Sequence, residues 1–209
     1  MRVELVWSTP YGEALIAQMA RVSNPTNKHN SETASKLIAF LIRNKHWSPF
    51  EMVNVCMEIE TTRDIARQIL RHRSFSFQEF SQRYAKVTNI DGFSEARLQD
   101  KDNRQNSLKT DDEYLRNWWR YAQVGVADLA EKWYDEALEK GIAKEVARKL
   151  LPEGLTQSTM YMNGTLRSWL HYIDIRCDKA TQKEHREVAE KCKAIVFEQF
   201  PSVKEALGY

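Results

Sequence analysis

The sequence predicts an α+β fold, a predominantly helical single domain with a small, mostly antiparallel sheet. Three observations predict it. Apolar residues recur at helical spacing over most of the chain, the alternation typical of a strand occurs at residues 53–60, and no internal repeat or interdomain linker divides the sequence. At 209 residues, the chain is long enough for one well-packed domain spanning residues 1–209 and short for two.

The first half of the chain predicts two strands and three helices separated by turns. The clearest strand is residues 53–60, where apolar and mainly polar positions alternate. Pro49 breaks the preceding helical pattern and places residues 46–51 in an ordered turn. In chain order we predict a strand at 3–7, a helix at 12–22, a turn at 23–27, a helix at 32–45, the strand at 53–60 and a helix at 61–72.

The second half predicts a polar excursion followed by four helices. Residues 91–110 are mostly polar, and we expect a mobile excursion that can cover a site. A capping box at residues 110–113 starts a long helix that ends before Gly141. One apolar face of that helix contains Leu115, Trp118, Ala122, Val126, Leu129 and Trp133. The remaining elements are a helix at 143–151, a segment at 156–162 that fits a strand or a loop, a helix at 165–176 and a structural helix at 181–200.

The composition excludes several classes of protein. Thirty-one lysines and arginines nearly balance 29 acidic residues, so the net charge of +2 does not favour a general nucleic-acid binder. The longest apolar runs span only a few residues and the N-terminus lacks a signal-peptide core, so we expect a cytoplasmic protein. Cys56, Cys177 and Cys192 occur in apolar patterns, which predicts reduced core thiols rather than disulfides or metal ligands.

The most informative stretch is residues 71–84, which follows a segment at helical spacing and ends in a loop rich in serine, glutamine and arginine. It contains three arginines, whose planar forks of donors match phosphate, carboxylate or imide groups. A solvated basic patch on the surface is the alternative. Glu79 and the interleaved Phe75, Phe77 and Phe80 favour a half-buried site instead, because each charge there needs a partner. The stretch therefore predicts a site for an anionic, partly aromatic ligand.

Two further patterns supply polar side chains for such a site. Gln68, Arg71 and His72 are three and four residues apart and share one helix face. On the helix at 165–176, Arg167, His171 and Asp174 form a polar stripe, whereas Arg176 lies on another side. The sequence has no glycine-rich phosphate loop, so arginine side chains must hold any nucleotide phosphates.

Several short motifs together resemble the flavin-dependent thymidylate synthases. Residues 71–73, Arg-His-Arg, and 81–83, Ser-Gln-Arg, match the signature of that family. Residues 20–23 and 46–51, then 145–152 and 166–176, are similar to its other motifs and occur in the same order. The resemblance covers most of the chain and identifies it as a member of this family.

The resemblance implies a homotetramer whose active sites lie between subunits. It implies one FAD per site, NADPH as the reductant, and dUMP and methylenetetrahydrofolate as substrates. The reaction is then the reductive methylation of dUMP to dTMP, with release of tetrahydrofolate, in de novo dTMP biosynthesis. Neither a membrane nor a nucleic acid is implied as a partner.

The resemblance also implies a role for each matching residue. Arg71, His72 and Arg73 hold FAD, and Arg71 also reaches dUMP. Further flavin contacts are expected from Ser23, Ser48, Glu79, Thr165, Arg167 and His171. The dUMP pocket is expected to contain Gln68, Glu79, Phe80, Ser81, Gln82, Arg83 and Arg148. Arg176 is similar to the family's arginine that stabilises the ionised uracil ring. The chain departs from the family pattern at Gln78, Thr165 and His171, where asparagine is common.

The chemistry of the reaction favours Arg176 as the catalytic residue. Negative charge must develop on the ring before its carbon becomes nucleophilic, and a fixed guanidinium stabilises that charge by about 3 kcal/mol. A cysteine nucleophile is the alternative, and Cys177 is the candidate because it follows Arg176. Ser81 is another possible nucleophile, but no histidine or lysine close in sequence could act as its base. It fits a residue that binds the dUMP phosphate better.

Two other functions stay open at this point. An RNA- or single-strand-binding module could use Arg71, Arg73 and Arg83 on phosphates and the phenylalanines for stacking, although the low net charge and Glu79 argue against it. A metal site is a weaker reading, because no two histidines show ligand spacing on one helix. The histidines concerned are His29, His46, His72, His171 and His185.

Overall fold

Four antiparallel strands form the central sheet of the computed structural model, which describes residues 1–30 and 32–209. The sheet order is β1 (Arg2–Ser8), β2 (Asn54–Thr62), β6 (Gln157–Thr165) and β3 (Phe75–Glu79). Strand β2 pairs with β6 from Asn54 opposite Thr165 to Thr62 opposite Gln157. The α+β class predicted from the sequence is confirmed.

The helices have the following bounds. Helices α1 (Gly12–Ala20) and α2 (Ala34–Arg43) precede β2, and α3 (Arg63–Ile69) follows it directly. The long helix α4 (Glu113–Glu139) and the short α5 (Lys144–Ala147) lie between β3 and β6. The chain continues through α6 (Leu166–Arg176), α7 (Lys183–Gln199) and α8 (Pro201–Ala206), and short 3-10 turns occupy Pro25–Asn27, Ser48–Met52 and Arg148–Leu150. In the described residues, no helix combines the length and apolar character that a membrane crossing requires.

Two strands of the central sheet differ from the sequence-based expectation. The loop expected after Arg-His-Arg contains strand β3, in which Phe75 and Phe77 pair opposite Gly164 and Met162 of β6. The ambiguous segment at 156–162 lies in β6, a strand with two neighbours. Both strands depend on hydrogen bonds to strands distant in sequence, so the local pattern alone left them undefined.

One hydrophobic core joins the sheet to six of the helices, α1, α2, α3, α6, α7 and α8. Ile16, Ile38, Met57, Trp169 and Val188 are fully buried in it, one each from α1, α2, β2, α6 and α7. The Trp169 indole donates a hydrogen bond of 3.0 Å to the Val55 carbonyl, which ties α6 to β2. This contact holds the polar stripe of α6 on the opposite, exposed side of the helix.

Helix α4 turns its apolar stripe to the outside of the single chain. Trp118, Val126, Leu129 and Trp133 are 47–56% exposed, whereas the helix buries mainly alanines with Gln123 and Tyr134. The N-cap is Asp112, whose side chain accepts from the Leu115 amide at 3.0 Å. The predicted capping box at 110–113 is therefore wrong, because it would place the N-cap at Thr110.

The polar excursion at 91–110 contains a small hairpin. Its strands are β4 (Arg97–Gln99) and β5 (Ser107–Lys109). An ion pair of 2.6 Å joins Arg97 to Glu184 and thereby anchors β4 to the first turn of α7. The excursion thus lies against the helix that also contains His185.

Candidate active site

The end of α3, helix α6 and helix α7 bring five polar residues together, and we call them the α3–α6–α7 cluster. Its members are Gln68, His72, Tyr172, Arg176 and His185. Arg176 Nε donates to His72 Nε2 at 2.9 Å, and the two imidazole ring centres lie 6.4 Å apart. His185 lies 3.1 Å from the Tyr172 hydroxyl through Nε2 and 3.2 Å from the Gln68 amide oxygen through Nδ1.

Both histidines of the cluster are neutral at pH 7. Burial, and then the charge of Arg176, lowers the pKa of His72 to about 4 and that of His185 to about 3. A neutral His72 can accept the hydrogen bond from Arg176, which an imidazolium cannot. The cluster therefore keeps the guanidinium as its positive charge and offers it a fixed partner.

A cleft of about 760 Å³ lies beside the N-terminal half of α6. Thr165, Arg167 and His171, three of the residues expected to contact flavin, line it together with Asp174. Thr165 is also the N-cap of α6, because its hydroxyl accepts from the Ser168 amide at 3.2 Å. The remaining lining comes from Trp47, Glu51, Ser74, Ser168, Leu170, Ile173, Phe197, Leu207 and Tyr209.

Glu51 organises the polar wall of this cleft. Its two carboxylate oxygens accept from Thr165 Oγ1 at 2.7 Å and from Arg167 at 2.6 Å. The hydrogen bonds from Arg167 and Thr165 lower the pKa of the Glu51 carboxyl, so it stays ionised at neutral pH. The sequence reading did not select Glu51, although it closes the motif at 46–51 that the family resemblance already contained.

The arginines on either side of His72 are free to bind anions. Arg71 and Arg73 are both exposed, and neither forms an ion pair with another residue in the part of the chain that the structure describes. The chain turns directly after α3, where the His72 amide donates to the Ile69 carbonyl. Two unpaired guanidinium groups beside a neutral imidazole fit a phosphate-bearing ligand.

The residues after β3 have varied surroundings. Glu79 accepts from Ser158 Oγ at 2.8 Å and lies 3.3 Å from Arg63, so its carboxylate already has partners. Gln82 is 5% exposed, and its amide nitrogen has no hydrogen-bond partner among the described residues. Phe80 is 38% exposed. The buried, unpartnered amide of Gln82 fits an acceptor on a bound molecule.

Arg83 and Arg148 meet at Glu145, at the start of α5. Arg83 Nε lies 3.3 Å from the Glu145 carboxylate, and Arg148 Nε donates to the Glu145 carbonyl at 3.3 Å. Both arginines were expected to contact dUMP. The structure thus gathers two guanidinium groups around one acidic residue, an arrangement that also suits a phosphate.

The expected site residues fall into three sets of direct contacts on a single chain. Gln68, His72 and Arg176 belong to the cluster, Thr165, Arg167 and His171 to the cleft, and Arg83 with Arg148 to the α5 turn. Ser23 and Ser48 are exposed in turns, and neither lines the cleft.

The sequence reading missed His185. It treated the closing helix as purely structural, yet His185 is fully buried and contacts both Gln68 and Tyr172. The spacing of His185 with Val188, Ala189 and Cys192 is that of a buried helix face. A histidine on such a face needs a hydrogen-bond partner, and this signal was available in the sequence.

The surroundings of the cysteines disfavour a nucleophilic role. Burial raises the pKa of Cys56, raises that of Cys177 to about 12 and raises that of Cys192 still further. The thiolate, which is the reactive form, is therefore scarce at neutral pH. The raised pKa therefore favours Arg176 over Cys177 as the catalytic residue.

The two neutral histidines predict acid-sensitive stability. Both have an ordinary pKa of 6.5, whereas in the folded chain the pKa of His72 is about 4 and that of His185 about 3. Below pH 6.5 the unfolded chain binds more protons, so we expect the free energy of unfolding to fall from pH 7 to pH 4.5. Urea unfolding followed by tryptophan fluorescence measures this slope. His185→Gln should make it shallower, and His29→Gln, at an exposed position, should not; equal slopes for both variants would contradict the assignment.

Comparisons with known proteins agree on one family. The model of the thymidylate synthase complementing protein family, Thy1, matches residues 4–202. A probable flavin-dependent thymidylate synthase of Paramecium bursaria Chlorella virus 1 is 51% identical over 197 residues, covering 94% of this chain and 91% of that protein. The flavin-dependent thymidylate synthase of Synechocystis sp. is 53% identical over 197 residues, covering 94% of this chain and 90% of its own.

A solved structure has the same fold. The UMP/dUMP methylase PolB from Streptomyces cacaoi, crystallised with 5-Br dUMP, superposes with a TM-score of 0.85. It is 27% identical in sequence, and the match covers 98% of this chain and 93% of PolB.

Proposed function

Because the chain belongs to the flavin-dependent thymidylate synthase family, we propose that it converts dUMP to dTMP by reductive methylation. Methylenetetrahydrofolate supplies the carbon and NADPH reduces the bound FAD. The observation that carries this proposal is the hydrogen bond from Arg176 to His72. It joins the side chain assigned to the uracil ring to one assigned to the flavin, as a reaction between two stacked ligands requires.

The residues present fit FAD. Unpaired Arg71 and Arg73 suit its phosphates, and the cleft lined by Thr165, Arg167 and His171 has the size of a ligand pocket. Ser23, Ser48 and Glu79 are assigned to the same cofactor by family resemblance. When bound, FAD supplies the hydride, which no side chain can deliver. The chain's own contribution is to place the ligands and to exclude water from between them.

The dUMP site is assigned to Gln68, Arg71, Glu79, Phe80, Ser81, Gln82, Arg83, Arg148 and Arg176. Arg83 and Arg148 serve the phosphate, since they are already close together at Glu145. Arg176 faces the uracil ring, where its charge stabilises the anion that forms as the ring carbon becomes nucleophilic. His72 holds this guanidinium in place by accepting from its Nε atom.

The proposed assembly is a homotetramer with sites between subunits. The stripe of Trp118, Val126, Leu129 and Trp133 on α4 offers the apolar surface that such an assembly buries. Three free cysteines with raised pKa values accord with a reducing compartment, and we place the enzyme in the cytoplasm.

Leu129→Glu should dissociate this assembly. Leu129 is 56% exposed on the single chain, and burying a carboxylate in an apolar contact is unfavourable. Sedimentation velocity should show a tetramer for the unchanged chain and smaller species for the variant. Asn117→Glu introduces the same side chain, with the same change of charge, at an exposed position of α4 outside the stripe and should stay tetrameric. A tetrameric L129E protein would contradict the role of the stripe.

The direct test is dTMP formation by purified protein with dUMP, methylenetetrahydrofolate and NADPH, with and without added FAD. We expect a yellow protein whose activity requires all three substrates. UMP belongs in a parallel reaction, because PolB is described as a UMP/dUMP methylase. A colourless protein that binds oligonucleotides with strong salt dependence would support the nucleic-acid-binding alternative and overturn the proposal.

A further inference from the structure

A continuous chain of hydrogen bonds runs through the α3–α6–α7 cluster. Gln182 Nε2 donates to the Glu184 carboxylate at 3.0 Å, and the Gln182 oxygen lies 2.7 Å from Gln68 Nε2. Gln68 Oε1 lies 3.2 Å from His185 Nδ1, and His185 Nε2 lies 3.1 Å from the Tyr172 hydroxyl. Five side chains are thus linked in series.

The Glu184 carboxylate at one end fixes the direction in which the hydrogen bonds of this series run. Burial acts to raise the pKa of Glu184, but hydrogen bonds from Arg97, from its own backbone and from Gln182 outweigh it and lower that pKa. An ionised carboxylate only accepts hydrogen bonds, so Gln182 must turn its NH₂ group toward Glu184. The Gln182 oxygen is then the acceptor that faces Gln68.

The orientation of Gln182 fixes which atom donates and which accepts in each following hydrogen bond. Gln68 donates its NH₂ group to Gln182, so the Gln68 oxygen faces His185 and needs a donor there. His185 is neutral and carries one proton, which must therefore be on Nδ1. Its bare Nε2 then accepts from the Tyr172 hydroxyl, and burial raises the pKa of Tyr172, so this hydroxyl keeps its proton.

We propose that four residues, Glu184, Gln182, His185 and Tyr172, are positioning residues for the Gln68 amide. Their hydrogen bonds hold this amide in one orientation, in which its second N–H is available to the nucleotide. The second N–H of Gln68 has no hydrogen bond to another described residue. Gln68 consequently recognises an acceptor oxygen of dUMP and discriminates against a donor at that position. This inference rests on the proposed function, which assigns Gln68 to dUMP.

The tautomer of His185 tests the direction without any assay of activity. Long-range ¹H–¹⁵N spectra of histidine-labelled, FAD-loaded enzyme distinguish the two ring nitrogens, and His185→Gln identifies the resonance. We expect a protonated Nδ1 and a bare Nε2 at pH 7. A proton on Nε2, or on both nitrogens, would reverse or interrupt the series of hydrogen bonds and overturn the inference.

Glu184→Gln tests the anchor. Glutamine can donate as well as accept, so the direction is no longer imposed, and we expect the dUMP dissociation constant to rise about tenfold, the equivalent of one hydrogen bond. Glu95→Gln is the matched control. It removes the other acidic partner of Arg97, at 3.4 Å, without contacting Gln182, and its dUMP affinity should match that of the unchanged enzyme.

A double-mutant cycle separates positioning from general damage. In a Gln68→Met background there is no amide to orient, so adding Glu184→Gln should not weaken dUMP binding further. An equal loss in both backgrounds, or no loss in either, would overturn the inference. If the unchanged enzyme fails to bind dUMP, the proposed function itself fails. Normal dUMP binding in both the unchanged enzyme and E184Q defeats only the orientation of Gln68.

Discussion

Arg176→Ala is expected to keep the fold and the bound FAD while lowering the rate of dTMP formation at least about hundredfold. The fold should persist because Arg176 is only half-buried, at the end of α6, and its hydrogen bond is to the half-buried His72. Activity should fall because we propose that this guanidinium stabilises the developing uracil anion. The measurement is single-turnover dTMP formation by FAD-loaded enzyme at saturating dUMP.

Arg186→Ala is the matched control for this prediction. Arg186 is also half-buried and follows in the next helix, but among the described residues its guanidinium donates only to the Lys179 carbonyl, at 3.0 Å. Its removal should leave turnover unchanged. The charge of Arg176 also lowers the pKa of His72, so this pKa should rise in R176A. Full turnover in R176A would defeat the catalytic role assigned to this arginine.

Arg71→Ala is expected to weaken the binding of both FAD and dUMP, each by about tenfold or more. The loss of one hydrogen bond to a charged group costs about 1.5–3 kcal/mol, which corresponds to roughly one or two decades of affinity. Arg71 is exposed and has no ion pair with another described residue, so no partner inside the chain is disturbed. Isothermal titration calorimetry with each ligand measures the two effects.

Arg67→Ala is the matched control for Arg71→Ala. Arg67 lies one helical turn earlier and is also exposed, and its one ion pair among the described residues is a surface contact of 3.3 Å with Glu153. Both ligand affinities should be unchanged in this variant. Unchanged affinities in R71A as well would show that the basic end of α3 does not hold the ligands.

The sheet shows why prediction from sequence stopped where it did. Strand β2 was predicted because its own alternation is clear, and it is paired on both sides by β1 and β6. Strand β3 carries the same alternation, with Phe75 buried and Ser76 exposed, but its polar residues suggested a loop. This alternation covers only five residues, Phe75–Glu79, in a strand that pairs with β6 on one side only, so it was too short to predict a strand.

The candidate site divides in the same way. The Arg-His-Arg and Ser-Gln-Arg motifs could be selected because the arginine guanidinium is charged and binds anions in any structural context. Glu51 and His185 were missed because each gains its role from a partner more than 100 residues away, Thr165 for Glu51 and Gln68 for His185. The helical spacing around His185 indicated that it is buried, but no neighbour in sequence identified the partner of either residue.

Sequence alone determined the fold class, the family and the arginines available for two anionic ligands, because helical periodicity and guanidinium chemistry are local properties. Only the tertiary structure decided which apolar face stays uncovered, which histidines are neutral and which way the Gln68 amide points. Those properties depend on burial and on hydrogen-bond partners, and the folded chain brings these together from distant elements.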